Sequence, residues 1–191
     1  MTDAIIAHLT ASRDALIRAA DDVALRDVAQ VIAAAIVTAL QSGHKILLIG
    51  NGGSAADAQH IAAEIVGRYK MERAGWAALA LTTDTSALTS IANDYGFEHI
   101  FTRQIEALGQ KGDVLIALST SGRSANILNA LTLARTRGLV TIGCTGLKGE
   151  AMRDFCDHLL VSPSDDTPII QQIHMVALHG VCDAVERALS V

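Results

Sequence analysis

The chain has 191 residues, half of them hydrophobic and 3 % aromatic, and carries a formal charge of −5 from 15 Lys plus Arg against 20 Asp plus Glu. That length supports one well-buried core rather than two, and an acidic balance without a Lys/Arg block speaks against a nucleic-acid partner. No stretch approaches the ~20 apolar residues of a membrane span, and the opening MTDAIIAHLTASRDALIRAADD lacks the unbroken apolar run of a signal peptide.

Residues 3 to 42 place Ile5, Leu9, Leu16, Ile17, Val23, Val28, Val31, Ile32, Ile36 and Leu40 at helical spacing, which predicts an N-terminal helical hairpin broken near Asp21-Asp22. The apolar run 45 to 49 then reads as a strand, and the same pattern returns at 77 to 82, 113 to 118, 139 to 143 and 158 to 161. Helices are expected between the strands at 54 to 69, 85 to 108, 124 to 137 and 148 to 155. A long last helix follows from about Pro168 to Leu189, with Pro in its first turn, where a missing N–H does no harm. Short apolar strands alternating with helices predict an α/β fold: a single domain over 1 to 191, with a doubly wound, five-stranded parallel sheet flanked by helices. The Ala-rich, aromatic-poor composition agrees, because small side chains let helices approach closely. Cys144, Cys156 and Cys182 are an odd number without CxxC spacing. They fit buried thiols in a reducing compartment, and the expected location is the cytoplasm.

Ligands of open parallel sheets bind at the carboxyl ends of the strands, facing helix N-termini. Two such ends stand out. Gly50-Asn51-Gly52-Gly53-Ser54 follows the first strand, and its glycines allow a sharp turn and close approach of a ligand to backbone N–H groups. Ser119-Thr120-Ser121-Gly122-Arg123-Ser124 follows the third strand with four hydroxyls in six residues, neutral donors suited to a phosphate monoester. Taken singly, each is also what a tight turn with a serine helix cap looks like. Gly50, Gly52 and Ala55 match the loose dinucleotide fingerprint, but the acidic residue it requires is misplaced: Glu72 precedes the second strand and Asp84 lies about 32 positions on. A P-loop is excluded by the lack of GKS or GKT. Two such loops suit a small phosphorylated ligand.

The helix after the first loop carries His60 and Glu64 at i, i+4, on one face about 6 Å apart. Such a pair grips a divalent metal, or sets a carboxylate base beside an imidazole, or is simply a solvated face. The final helix adds Gln171, His174 and His179. Periodicity does not choose among them: Gln171 and His174 share a face, while Gln171 and His179 lie two turns apart, roughly 12 Å along the axis. His8, His44, His99 and His158 have no acidic partner at useful spacing. Ala92-Asn93-Asp94-Tyr95-Gly96-Phe97 is a turn-forming polar cluster inside otherwise helical sequence, whose amide and carboxylate suit sugar hydroxyls.

GNGGSAADAQHIAAE at 50 to 64, GRY at 67 to 69, ANDYGF at 92 to 97, STSGRSAN at 119 to 126 and IQQIHMVALH at 170 to 179 together resemble the phosphoheptose (sedoheptulose 7-phosphate) isomerases of the sugar isomerase (SIS) domain superfamily, over nearly the whole chain. The resemblance implies conversion of a ketoheptose 7-phosphate to an aldoheptose 7-phosphate in bacterial heptose biosynthesis. It implies a homotetramer with active sites at subunit interfaces, the helices of 1 to 43 serving oligomerisation, and one Zn2+ per subunit. Position by position, it implies zinc held by His60, Glu64, Gln171 and His179. It also implies substrate contacts from Asn51, Gly52, Gly53, Ser54, Glu64, Asn93, Asp94, Ser119, Thr120, Ser121, Ser124 and Gln171. Glu64 is assigned as the base and His179 as the partner that moves protons on oxygen. Arg123 stands where the family usually has Asn, and Gln172 where Glu is frequent, and SDDTPI before Gln171 is divergent. An isomerase for a different sugar phosphate is the neighbouring alternative. A non-catalytic SIS-domain regulator is another, although such relatives tend to lack the helix glutamate that Glu64 supplies.

Overall fold

The computed structural model describes residues 2–190; Met1 and Val191, the ends of the expected domain, lie outside the described residues. In chain order the elements are α1 (Thr2–Asp21), α2 (Val23–Gln41), β1 (Ile46–Gly50), α3 (Gly53–Val66), β2 (Ala78–Ala80), α4 (Thr85–Tyr95), α5 (Thr102–Leu108), β3 (Val114–Leu118), α6 (Ala125–Thr136), β4 (Val140–Gly146), β5 (His158–Ser162) and α7 (Thr167–Leu189). Two 3-10 stretches, Phe97–His99 and Leu147–Phe155, complete the connections.

The five strands form one parallel sheet in the order β2-β1-β3-β4-β5, as the alternating pattern predicts. Every residue of β1 and β3 is buried, so the strands are apolar throughout rather than alternating, as a sheet covered on both faces requires. Successive side chains enter different cores. Ile46, Leu48, Ile116 and Ile142 meet α1, α2, α3 and α7 on one face, while Leu47, Ile49, Leu115 and Ala117 meet α5 and α6 on the other. Cys144, Cys156 and Cys182 are free and buried, and burial lifts their thiols to about 12, 11 and 12, so they are protonated and inert near neutral pH.

The break at Asp21-Asp22 is a capped helix start: Asp22 accepts the Leu25 N–H at 3.1 Å. Helix α1 rests mainly on α7. By length and composition α2 is apolar enough to cross a membrane, contrary to the sequence expectation. Five of its residues, Leu25, Ile32, Ala33, Ile36 and Ala39, are buried against α7 and the sheet. The helix expected over 85 to 108 is divided at Gly96, whose φ of 99° only glycine adopts readily. Asp84, the one acid that ends the second strand, caps α4 by accepting the Ala87 N–H at 2.9 Å. His44 finds a partner that spacing did not show, 3.8 Å from the buried Asp113. That pair sits at the amino ends of β1 and β3, away from the loops described next.

Candidate functional site

The sheet order places the switch of winding direction between β1 and β3, and Gly50 and Leu118 are register partners at their carboxyl ends. The two glycine- and serine-rich loops therefore lie side by side, although nearly 70 positions apart in the chain. Between them is a cavity of about 230 Å³ lined by Asn51, Gly53, Ser54, Ser119, Thr120, Ser121, Ser124, Thr167 and Gln171. Among the described residues no lysine or arginine lines it, so its donors are neutral: hydroxyls, the Asn51 and Gln171 carboxamides and backbone amides.

The serines here are not occupied with helix capping. Ser124 is the N-cap of α6 but its side chain makes no cap bond, and α3 is capped by Gly52 with no side-chain bond. The N–H groups of Gly52, Thr120 and Ser121 have no backbone acceptor among the described residues and remain open to an anion. Ser119 is partly committed to the loop itself: its N–H bonds the Cys144 carbonyl at 2.9 Å and its Oγ accepts the Gly122 N–H at 3.2 Å. Asn51 exchanges two amide bonds with the buried Asn126, at 3.0 and 2.8 Å, which ties the first loop to the start of α6. Gln171 reaches across from α7 and donates to Ser54 Oγ at 3.4 Å. Gly53 leaves room for that carboxamide, since a Cβ there would lie 2.6 Å from Gln171 Nε2. Gly53→Ala is accordingly expected to raise KM for a sugar phosphate several-fold while leaving the thermal midpoint nearly unchanged. An unchanged KM would show that this close approach has no bearing on binding.

Helices α3 and α7 also carry the second half of the site. His60 Nε2 lies 3.1 Å from Glu64 Oε1 and 3.1 Å from His179 Nε2, and His179 Nε2 is 4.0 Å from Glu64 Oε1. The three ligating atoms lie within 4.8 Å of one another. Two imidazole nitrogens and a carboxylate oxygen gathered this closely form a donor set that fits a borderline divalent cation such as zinc. His174, the competing histidine of α7, is removed from consideration. It is fully buried, faces the Thr145 carbonyl at 3.2 Å, and burial lowers its pKa to about 4.

Asn93 and Asp94 do not join this group. They are exposed on the last turn of α4, bonded to each other at 2.8 Å, and neither lines the cavity. Arg123 faces an adjoining hollow of about 150 Å³ with Lys148 and Asp165, its guanidinium 3.4 Å from the Lys148 carbonyl. Sequence reasoning gave no role to Asn126, Thr167 or Asp57. Asn126 stood inside a quoted motif, but nothing local marks it as the partner of Asn51. Asp57, half-buried one turn before His60, has its carboxyl pKa raised by burial, with His60 partly offsetting this.

Residues 9–146 match the SIS domain family. A phosphoheptose isomerase of Bradyrhizobium sp. (strain BTAi1 / ATCC BAA-1182) is 66 % identical over 187 residues, covering 98 % of this chain and 94 % of its own. Among solved structures, a phosphoheptose isomerase from Neisseria gonorrhoeae aligns with a TM-score of 0.91 at 42 % identity, covering 97 % of this chain and 98 % of that one. One from Francisella tularensis aligns with a TM-score of 0.92 at 36 % identity and the same coverage. With its two glycine- and serine-rich loops around one cavity, its His/Glu/His cluster and these likenesses across nearly its full length, the chain belongs to the SIS domain family and, within it, to the phosphoheptose isomerases.

Proposed function

We propose that the chain interconverts sedoheptulose 7-phosphate and D-glycero-D-manno-heptose 7-phosphate through an enediol(ate). One observation carries the reading: α3 and α7 present an acid-base cluster and, at their other ends, border a neutral anion cradle. The phosphate is held by the open amides and hydroxyls of the 50 to 54 and 119 to 124 loops, which fixes one end of the sugar. Glu64 takes the proton from C1 of the ketose, and the carbonyl at C2 becomes part of the enediol(ate). His179 relays the proton from the C1 oxygen to the C2 oxygen, and Glu64 returns its proton to C2 to give the aldose. In the open-chain sugar the carbons beyond C2 are untouched, so one carboxylate and one imidazole suffice for the proton traffic.

His60, Glu64 and His179 would hold a zinc ion in this reading, and Gln171, which lies two turns before His179 on the same helix, would be the fourth ligand. Bound there, the ion supplies Lewis acidity that stabilises negative charge on the sugar oxygens. Protein stripped with a strong chelator is expected to lose nearly all turnover and to regain it on adding Zn2+, as read by NMR of sedoheptulose 7-phosphate conversion. Full activity in stringently metal-free protein would remove the ion from the scheme.

The subunit is proposed to work in the cytoplasm as a homotetramer with sites at the interfaces. Support comes from an apolar surface that one subunit leaves uncovered: Ile5, Leu9 and Ile17 of α1 and Val176 of α7 are each more than half exposed. The exposed Asn93 and Asp94 are then available to sugar hydroxyls from a neighbouring subunit.

A further inference from the structure

Behind the His60–Glu64–His179 cluster lies a second, buried set of groups that the proton transfers do not use. Glu186 sits on α7 two turns beyond His179 and is 1 % exposed. Its Oε1 accepts the Tyr69 N–H at 2.9 Å and Arg73 Nε at 3.0 Å, and its Oε2 accepts the N–H groups of Lys70 at 2.7 Å and Met71 at 2.8 Å. Arg73 spends its other donors on main-chain carbonyls: Nη2 on Glu64 at 2.8 Å, and Nη1 on Ile65 at 3.0 Å, Gly67 at 3.1 Å and Ala74 at 3.0 Å. Its guanidinium lies 3.6 Å from the centre of the Trp76 ring.

The carbonyls of Glu64 and Ile65 belong to the last turn of α3, where a helix has no internal donors to offer and where a cation is favoured. One ion pair thus ties the end of the helix bearing His60 and Glu64 to the helix bearing His179. The same carboxylate gathers three successive N–H groups of the 69 to 71 segment, an anion nest built from irregular backbone. That segment places the Tyr69 ring on His179, stacked at 19° with centroids 5.5 Å apart.

We infer that Glu186, Arg73 and Tyr69 are positioning residues for the isomerase site. The Arg73–Glu186 pair sets the separation of α3 and α7, and the Tyr69 ring it holds fixes the His179 imidazole in the orientation that meets Glu64 and His60. This rests on the reading of His179 and Glu64 given above. A buried ion pair adds little stability over an apolar pair of similar size, because desolvation offsets its attraction. Its yield here is geometric: a planar guanidinium with five donors binds four carbonyls and a carboxylate at once, which a lysine does not.

The test compares wild type, Glu186→Gln, Tyr69→Leu and the double variant. Four quantities are read: kcat and KM for sedoheptulose 7-phosphate, zinc affinity by competition with a chromogenic chelator, thermal midpoint, and tryptic cleavage after Arg68, Lys70 and Arg73 in zinc-free protein. Glu186→Gln is expected to lower kcat and zinc affinity by about tenfold or more, the scale seen when groups that orient metal ligands are removed. KM should change little, because the phosphate cradle stands on other loops, and the 68 to 73 segment should be cut faster. Tyr69→Leu should lower kcat and zinc affinity while leaving the thermal midpoint close to wild type. The double variant should be no worse than the more severe single one, since both act through His179. A released segment with unchanged kcat and zinc affinity overturns the inference, as do fully multiplicative effects in the double variant. If Glu186→Gln does not fold, Tyr69→Leu decides alone, and wild-type kcat and zinc affinity in it overturn the inference. A wild type that neither binds zinc nor isomerises the sugar instead overturns the functional reading, and this inference with it.

Discussion

Glu64→Gln is expected to lower turnover by about 10² to 10⁴-fold, the usual range for removing a positioned general base, with KM little changed. The substitution keeps the shape of the side chain and removes only its capacity to take and return a proton. The proposed phosphate cradle is carried by Asn51 to Ser54 and Ser119 to Ser124, away from this carboxylate, so binding has no reason to fail with it. Because Glu64 Oε1 also lies 3.1 Å from His60 Nε2 in the proposed metal cluster, the comparison is made at saturating zinc. In 2H2O the wild type should place deuterium at C2 of the aldose and the variant should not. Near-normal turnover, or label at C2 in the variant, would take the role of base away from Glu64.

Stability is expected to fall in two steps on acidification. His174 has its pKa lowered to about 4 by burial, against 6.5 in an exposed imidazole, so the unfolded chain binds a proton there more readily than the folded one. Its contribution is complete above about pH 6.5 and is lost as pH falls toward 4, amounting to about 3 kcal/mol. Its Nδ1 is buried without a partner among the described residues, so a proton there would find no acceptor. The second step belongs to carboxylates. Burial pushes the Glu186 carboxyl up, but three backbone N–H groups and Arg73 outweigh it and hold the pKa near 2 against 4.5. That contribution is complete above about pH 4.5 and is lost toward pH 2, on the order of 2–3 kcal/mol. Asp113 acts in the same direction: burial raises its pKa, but the Lys45 side chain and the N–H groups of Lys45 and Gln110 outweigh that and lower it. Urea midpoints between pH 7 and pH 2.5 check the two windows. His174→Gln, which keeps a donor for the Thr145 carbonyl and cannot titrate, should flatten the curve between pH 6.5 and 4 only. An unaltered slope in that window would show that His174 is not its source.

Local chemistry makes much of the molecule readable from its sequence. The strands at 45 to 49 and 113 to 118 were legible because parallel strands buried on both faces are apolar at every position, and each ends on a loop whose composition suits an anion. The break at Asp21-Asp22 was legible because an N-cap is a contact between neighbours in sequence, Asp22 to Leu25. The division of the 85 to 108 helix was marked by its polar ANDYGF cluster, and Gly96 made it. The apolar composition of α2 does not by itself say whether its apolar residues meet protein or lipid; in the fold five of them are buried against α7 and the sheet.

What the sequence determined by itself was a covered parallel sheet, two glycine- and serine-rich loops at strand ends and an i, i+4 His/Glu pair. The tertiary structure alone decided which loops share a cavity, through the register of Gly50 with Leu118. Periodicity leaves His174 and His179 open and only the family resemblance implies His179; the packing of α7 against α3 is the physical reason that it is His179 that meets His60 and Glu64. Asn51 with Asn126, and Arg73 with Glu186, likewise lie 75 and 113 positions apart. No window of sequence contains both partners, so only the folded chain brings an unpaired polar group to the one that satisfies it.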